Sequence, residues 1–282
     1  MLSITLDWLA FTFKVDTHEA AAWIQLFASS EGSVDAAPTN GYRAAYTTQK
    51  GVCVMWNIDR PEMGYHVIIS GSAIRNITEQ SDVDQKALLE SVCNAGGSIT
   101  RLDLAKDLTG KSISLDGIYK KLELRKSIGT ARSFSQIHSI NGGNTVYVGS
   151  RSSEKFIRIY DKAAQIGADG TPWFRYELEC KGMVARGLAS YLIQNGNWGD
   201  GFDTIARGMV DLPGSVDYQA FFDGEKPEIG IPKLEKKSDR EAWIESQVIP
   251  AVLKHYTDHR DSPAINRLRA LLILIDTKGS IE

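Results

Sequence analysis

Three segments, TRLDLAKD (100–107), KFIRIYDK (155–162) and RYELECK (175–181), switch between apolar and polar residues at nearly every second position. A period of two marks a β-strand with one buried and one polar face, because successive side chains leave a strand on opposite sides. In the first segment Leu102 and Leu104 oppose Arg101, Asp103 and Asp107. In the second, Ile157 and Ile159 oppose Arg158, Tyr160 and Lys162. In the third, Tyr176, Leu178 and Cys180 oppose Arg175, Glu177, Glu179 and Lys181. TVYVGS (145–150) adds Val146 and Val148 against Tyr147. If these strands share a sheet, helices cover its apolar side and the other side gathers carboxylates, cations and tyrosines.

Such a face suits phosphodiester chemistry. Carboxylates without cysteines or a close histidine pair select a hard cation, Mg²⁺ or Mn²⁺, which polarises a phosphate. Tyr160, flanked by Arg158 and Lys162, is a candidate nucleophile, because a phenol of pKa about 10 attacks only when a neighbour favours its phenolate. Each strand alone is better explained by tyrosine packing and cross-strand ion pairs. The coincidence of three such strands strengthens the chemical reading, while parity alone still leaves packing and ion pairing ahead.

Composition sets the frame. The chain has 282 residues, 43% of them hydrophobic and 24% charged, enough for one large domain or a main domain with an appendage. No apolar run is long enough to span a membrane, and Asp7 interrupts an N-terminus that reads as a strand rather than a signal peptide. Cys53, Cys93 and Cys180 are scattered and odd in number, which fits a reducing bacterial cytoplasm and excludes a cysteine zinc cluster. The net charge is −3, yet residues 101–162 hold twelve Lys/Arg against six Asp/Glu, a local excess able to steer a polyanion.

Along the chain, a first strand (1–14) precedes a predicted helix over THEAAAWIQLFASS, capped by Thr17, and three short β-rich runs. A helix capped by Ser81 or Asp82 follows, then a strand, a helix, four strands and a helix over MVARGLASYLIQNG. The order predicts an α+β fold: a largely antiparallel sheet with helices on one face, in two similar halves, 1–97 and 98–212. Residues 213–235 read as a linker, and 236–282 as a C-terminal helical region whose last helix is capped by Ser262.

Four blocks carry a resemblance. MGYHVIISGSAIRNI (63–77), TRLDLAKDLTG (100–110), TVYVGSRSSEKFIRIYDK (145–162) and FRYELECKG (174–182) resemble, in order, the motifs of the rolling-circle replication initiation factor family. That family comprises plasmid and phage initiator nickases and the relaxases of some integrative conjugative elements, grouped with the HUH-type endonucleases. The third block is the specific one. The resemblance implies an RNA-recognition-motif-like sheet with helices behind, Tyr160 as the nicking residue, and Arg158 and Lys162 beside it. It implies Asp103, Glu177 and, less directly, Glu179 as ligands of Mg²⁺ or Mn²⁺. Arg101, Tyr147, Arg151, Lys155 and Arg175 become expected DNA contacts. No His-hydrophobic-His pair is present, so the implied metal site is carboxylate-dominated, with His66 and His138 expected in structural or DNA-contacting roles. The implied partners are origin DNA, single-stranded or hairpin at the nick, with a host helicase, a polymerase and a second copy of the chain as further candidates. The rival readings are a conjugative relaxase, a non-catalytic nucleic-acid binder, and a structural protein whose charged strands only pair with one another.

Overall fold

The computed structural model describes residues 2–14, 34–48, 51–80, 83–140, 143–168, 170–232, 249–259 and 262–267. Two units separate by their internal contacts, Met1–Leu234 and Glu235–Glu282. In the second, the described helix Ile249–Asp258 lies within the expected one, and Ser262 Oγ accepts from the Ile265 amide at 3.3 Å, as the cap reading requires. The helix expected after Thr17 and the caps expected at Ser81 or Asp82 lie outside the described residues.

The first unit is built on one sheet of ten strands. In chain order these are β1 (Leu2–Phe13), β2 (Val34–Asp35), β3 (Ala44–Thr47), β4 (Val52–Trp56), β5 (Tyr65–Ser70), β6 (Ser98–Thr109), β7 (Phe134–His138), β8 (Asn144–Val148), β9 (Lys155–Asp161) and β10 (Trp173–Lys181). Their spatial order is β2-β3-β4-β5-β1-β6-β10-β9-β8-β7, with every neighbour antiparallel. The two expected halves therefore do not form separate sheets. They fuse through the long central pair β1–β6, where Leu9 stands opposite Leu102 and Trp8 opposite Asp103. Each half runs the same way: a long first strand pairs with the half's last strand, and a meander leads outward from it.

Helices cover one face. They are α1 (Gly71–Gln80), α2 (Gln85–Asn94), α3 (Leu115–Glu123), α5 (Gly182–Asn195) and α6 (Trp198–Met209); α4 (Lys162–Ile166) and α7 (Val216–Gln219) are two short ones among the described residues. Side chains that can accept from a free first-turn amide fix where they start: Asp84 for α2, Ser114 for α3 and Asp161 for α4. The apolar parity of the strands meets these helices in one core, in which Leu102, Leu104, Ile157, Ile159, Tyr176 and Leu178 are fully buried. Lys106 shares that parity and is buried too. Its ammonium is held by Asp203 of α6 at 2.8 Å and lies 5.5 and 5.3 Å from the Phe202 and Phe222 ring centroids. Among the described residues no helix is long and apolar enough to cross a membrane.

His66 lies in the first half of the sheet, where its Nδ1 meets Thr12 Oγ1 at 3.0 Å and its ring stacks on Tyr42 at 5.7 Å. Burial lowers its pKa below the ordinary 6.5. Below that pH the unfolded chain takes up a proton that the native imidazole resists, so stability present above 6.5 is lost as pH falls. We expect His66→Gln to flatten the decline of the urea midpoint between pH 7 and 5; an unchanged decline would mean that His66 stays uncoupled from folding.

Candidate active site

The uncovered face of β6, β9 and β10 carries the expected polar residues, and antiparallel register decides which of them meet. Arg175 stands opposite Tyr160, Glu177 opposite Arg158, and Glu179 opposite both Phe156 and Asp103. Tyr160 reaches diagonally across the β9–β10 pair, and its hydroxyl donates to Glu177 Oε1 at 2.5 Å. The Arg158 guanidinium pairs with Glu177 Oε2. Arg158 Nε is buried and has no acceptor among the described residues, and Glu177 Oε2 receives no hydrogen bond of good geometry beyond that ion pair. These groups line a cleft of about 330 Å³ together with Tyr147, Thr145, Asn144, Asp161 and Gln165.

Lys162 does not continue the strand as the period-two reading expects. β9 ends at Asp161, whose carboxylate accepts from the Ala164 amide at 2.9 Å and turns the chain into α4. The Lys162 ammonium still lies 5.8 Å from the Tyr160 ring centroid and donates to Gln165 Oε1 at 2.8 Å. Burial foremost, then the neighbouring Arg175, lowers its pKa.

The electrostatics of Tyr160 differ from the sequence expectation that Arg158 and Lys162 favour its phenolate. Burial, followed by the charge of Glu177 and the hydrogen bond to it, raises the hydroxyl pKa well above its usual value. The Arg158 charge is spent on Glu177. Glu177 is itself raised, chiefly by burial, with Arg158 opposing. The resting site therefore holds a protonated tyrosine whose proton points at a carboxylate.

A second cluster lies alongside. Arg101 grips Asp103 through Nε at 2.9 Å and Nη2 at 2.5 Å, and the same Nη2 reaches Glu179 at 2.8 Å. Lys181 Nζ meets the other oxygen of Glu179 at 2.6 Å, and the Arg101 guanidinium lies 4.8 Å from the Trp8 ring centroid. Burial pushes the Asp103 carboxyl up to about 6, with Arg101 pulling it back. Asp103 and Glu179 thus face one another across β6–β10 with Arg101 between them, and neither lines the Tyr160 cleft.

The carboxylate chemistry expected for Mg²⁺ or Mn²⁺ is present, but its arrangement does not fit a ready-made ion site. Among the described residues no three His, Cys, Asp or Glu side chains converge closely enough to hold a metal. Asp103 and Glu179 are bridged by Arg101, and Glu177 is taken by Tyr160 and Arg158. An ion at Asp103 and Glu179 must first displace the guanidinium. We expect Arg101→Ala to bind Mn²⁺ more tightly than the parent chain in calorimetry; equal or weaker binding would show that Arg101 does not stand in the way.

The third cluster escaped the sequence reading. Arg175, 7% exposed, donates through Nε and Nη2 to Asp107 at 2.8 and 2.7 Å and through Nη1 to Asp7 at 2.9 Å. Trp173 Nε1 gives Asp107 another hydrogen bond at 2.8 Å. Asp7 reaches this cluster where the β1–β6 register shifts between Leu6 and Trp8, a local irregularity that no period-two count anticipates. Arg175, an expected DNA contact, is therefore enclosed and paired beside Tyr160 rather than open to a strand of DNA. Lys155 shares the parity of Ile157, so it projects from the opposite side of the sheet to Tyr160. Arg151 is exposed, its guanidinium 5.7 Å from the Tyr147 ring centroid and 5.2 Å from that of Phe156. His138 is exposed at the end of β7 and meets Asn144 at 3.0 Å.

Comparison with known proteins shows what the chain is similar to. The sequence model of the family described as "Replication initiation factor" matches residues 97–252, more than half of the chain and the whole of β6–β10. A curated relative, "Putative DNA relaxase NicK" of Bacillus subtilis (strain 168), is 28% identical over 162 residues, which is 52% of this chain and 46% of that one. The chain thus spans about half the length of that relative. Among solved structures, the rolling circle replication initiator protein from Geobacillus stearothermophilus matches with a TM-score of 0.66 at 22% identity, covering 80% of this chain and 93% of that one. This last likeness is one of fold.

Proposed function

The chain belongs to the replication initiation factor family, and from that premise we propose that it nicks and rejoins one strand of origin DNA through Tyr160. The observation that carries this reading is the Tyr160 hydroxyl, hydrogen-bonded to Glu177 at 2.5 Å in a cleft shared with Arg158 and Tyr147. A single strand enters with a phosphate beside the cleft-lining Arg158, whose guanidinium donates to a non-bridging oxygen. The phenol oxygen attacks phosphorus as its proton passes to Glu177 Oε1. The bond to the 3′ oxygen breaks, and that oxygen takes a proton from water. The products are a 5′-phosphotyrosine and a free 3′-OH able to prime a polymerase. Reversal of the same step rejoins the strand. Arg175 acts at one remove, fixing β10 opposite Tyr160 through Asp107 and Asp7.

The relative named as a relaxase motivates a second reading, transfer of the nicked strand to a recipient by the same chemistry. Either reading predicts a tyrosine-linked adduct with a single-stranded origin oligonucleotide that survives denaturant. A pure binder gives only a complex that denaturant dissolves, and that result alone would overturn the proposal.

A further inference from the structure

On the helix-covered side of the sheet, beside the edge strand β7, lies a second groove of about 540 Å³. Its floor is apolar, formed by Leu122 of α3, Val148 of β8 and Val210. Its rim carries Arg125, Ser127, Arg132 and Phe134, with Glu123 as the one acidic side chain among the lining residues. The nicking cleft is lined by Tyr147, Arg158 and Tyr160, which project from the opposite face. The two sites therefore sit on opposite sides of the same sheet edge, and a flexible chain passing around β7 could reach both.

The rim is built rather than loose. After α3 the chain runs back along Met209–Asp211: Ile128 N donates to Asp211 O at 2.8 Å, Asp211 N to Ile128 O at 2.7 Å, and the Thr130 and Ala131 amides to Met209 O at 3.0 and 2.8 Å. Gly129 permits this approach, since it sits at φ +134° and a Cβ there would lie 2.5 Å from Met209 O. Arg125 takes a left-handed φ of 52°, uncommon for a side-chain-bearing residue, and so turns away from the α3 axis. Residues 117–134 carry five Lys/Arg against one Glu. Among the described residues Arg125, Lys126 and Arg132 make no ion pair. The nearby Asp211 carboxylate is occupied by Arg207 at 3.2 Å and Gln219 at 2.9 Å. Phe134 is 38% exposed and meets Tyr119 in a T-shaped contact, ring centroids 5.7 Å apart.

We propose that this groove binds a second segment of the single-stranded DNA on which the protein acts, with Arg125 and Arg132 on phosphates and an unpaired base on Phe134. Free cations around an apolar floor with an exposed ring match a single strand, which offers a phosphate chain and naked base faces together. A duplex offers the phosphates but keeps its bases stacked, and would leave the floor and Phe134 unused. The inference rests on the reading that the chain acts on DNA and extends it to a site remote from Tyr160.

The test uses the full chain carrying Tyr160→Phe, so that binding is measured without cleavage. Its ligands are a fluorescein-labelled single-stranded 30-mer and the corresponding blunt duplex, titrated at several KCl concentrations. Arg125→Asn, which tolerates the left-handed backbone, combined with Arg132→Gln should weaken single-strand binding several-fold. The combination should also make the log K against log salt slope shallower by about 1.4, at roughly 0.7 per lost phosphate contact. Phe134→Leu should weaken it about tenfold with the slope unchanged, as expected for lost stacking. Unchanged single-strand affinity and slope in a double variant that melts like its parent would overturn the proposal, as would an equal loss for the duplex. Failure of the Tyr160 chain to form an adduct would sink the nicking reading while leaving this measurement standing.

Discussion

We expect Tyr160→Phe to form no covalent adduct with single-stranded origin DNA and to lower the proposed nicking rate at least about 10³-fold. The reason is atomic. The substitution removes the one atom proposed to bond to phosphorus and leaves the ring, its 7% exposure and its neighbour Lys162 in place. It also leaves Glu177 Oε1 buried without its donor, at a cost of about 1–3 kcal/mol. Stability must therefore be checked beside activity by a melting curve, and DNA affinity by anisotropy. A folded, DNA-binding variant that still yields an adduct would remove Tyr160 from the role and turn attention to Tyr147 in the same cleft. Tyr147→Phe is the companion measurement, and its adduct should persist.

Arg175→Ala should destabilise the first unit by about 3–5 kcal/mol, because it strands the buried Asp107 and the half-buried Asp7 without their cation. For a unit of this size that is a fall in melting temperature on the order of 10 °C. Lysine should not rescue it, since one ammonium cannot supply the paired donors that Arg175 gives Asp107. Arg43→Ala, which breaks an exposed pair with Asp59, is the control and should cost no more than about 1 kcal/mol. A loss at Arg175 no larger than at Arg43 would show that the buried cluster does not hold the sheet together. Nicking should fall with stability in Arg175→Ala, because Arg175 stands opposite Tyr160 in the ladder.

Much of the candidate site is legible in the amino-acid sequence. The alternation in β6, β9 and β10 put Arg101, Asp103, Arg158, Tyr160, Glu177 and Glu179 on one face, and they share it. Local turn chemistry was harder to read at strand ends. Lys162 looked like the next member of a strand face, yet Asp161 accepts the Ala164 amide and starts a helix there. The expectation of an activated phenolate failed for an electrostatic reason. Proximity of Arg158 in sequence says nothing of which carboxylate will claim its charge, and Glu177 did.

The duplication of the two halves shows the same division. Aligned on the junctions Ser70–Gly71 and Lys181–Gly182, the first half places Trp8, Ala10, His66 and Ile68 where the second has Arg101, Asp103, Glu177 and Glu179. Met55 likewise stands where the second half has Arg158. The backbone path is repeated while the chemistry is not, so the two halves differ in sequence at the matching positions.

What the residues alone settled was the direction of the side chains within β6, β9 and β10, and the block around Tyr160 that resembles the family's, because pleating and motif spacing are local properties. Tertiary structure alone decided that Tyr160 meets Glu177, that Arg101 stands between Asp103 and Glu179, and that Asp7 closes on Arg175 from a strand 168 residues away in sequence. Those partners follow from register and burial, which depend on how distant strands pair, and no stretch of sequence carries that by itself.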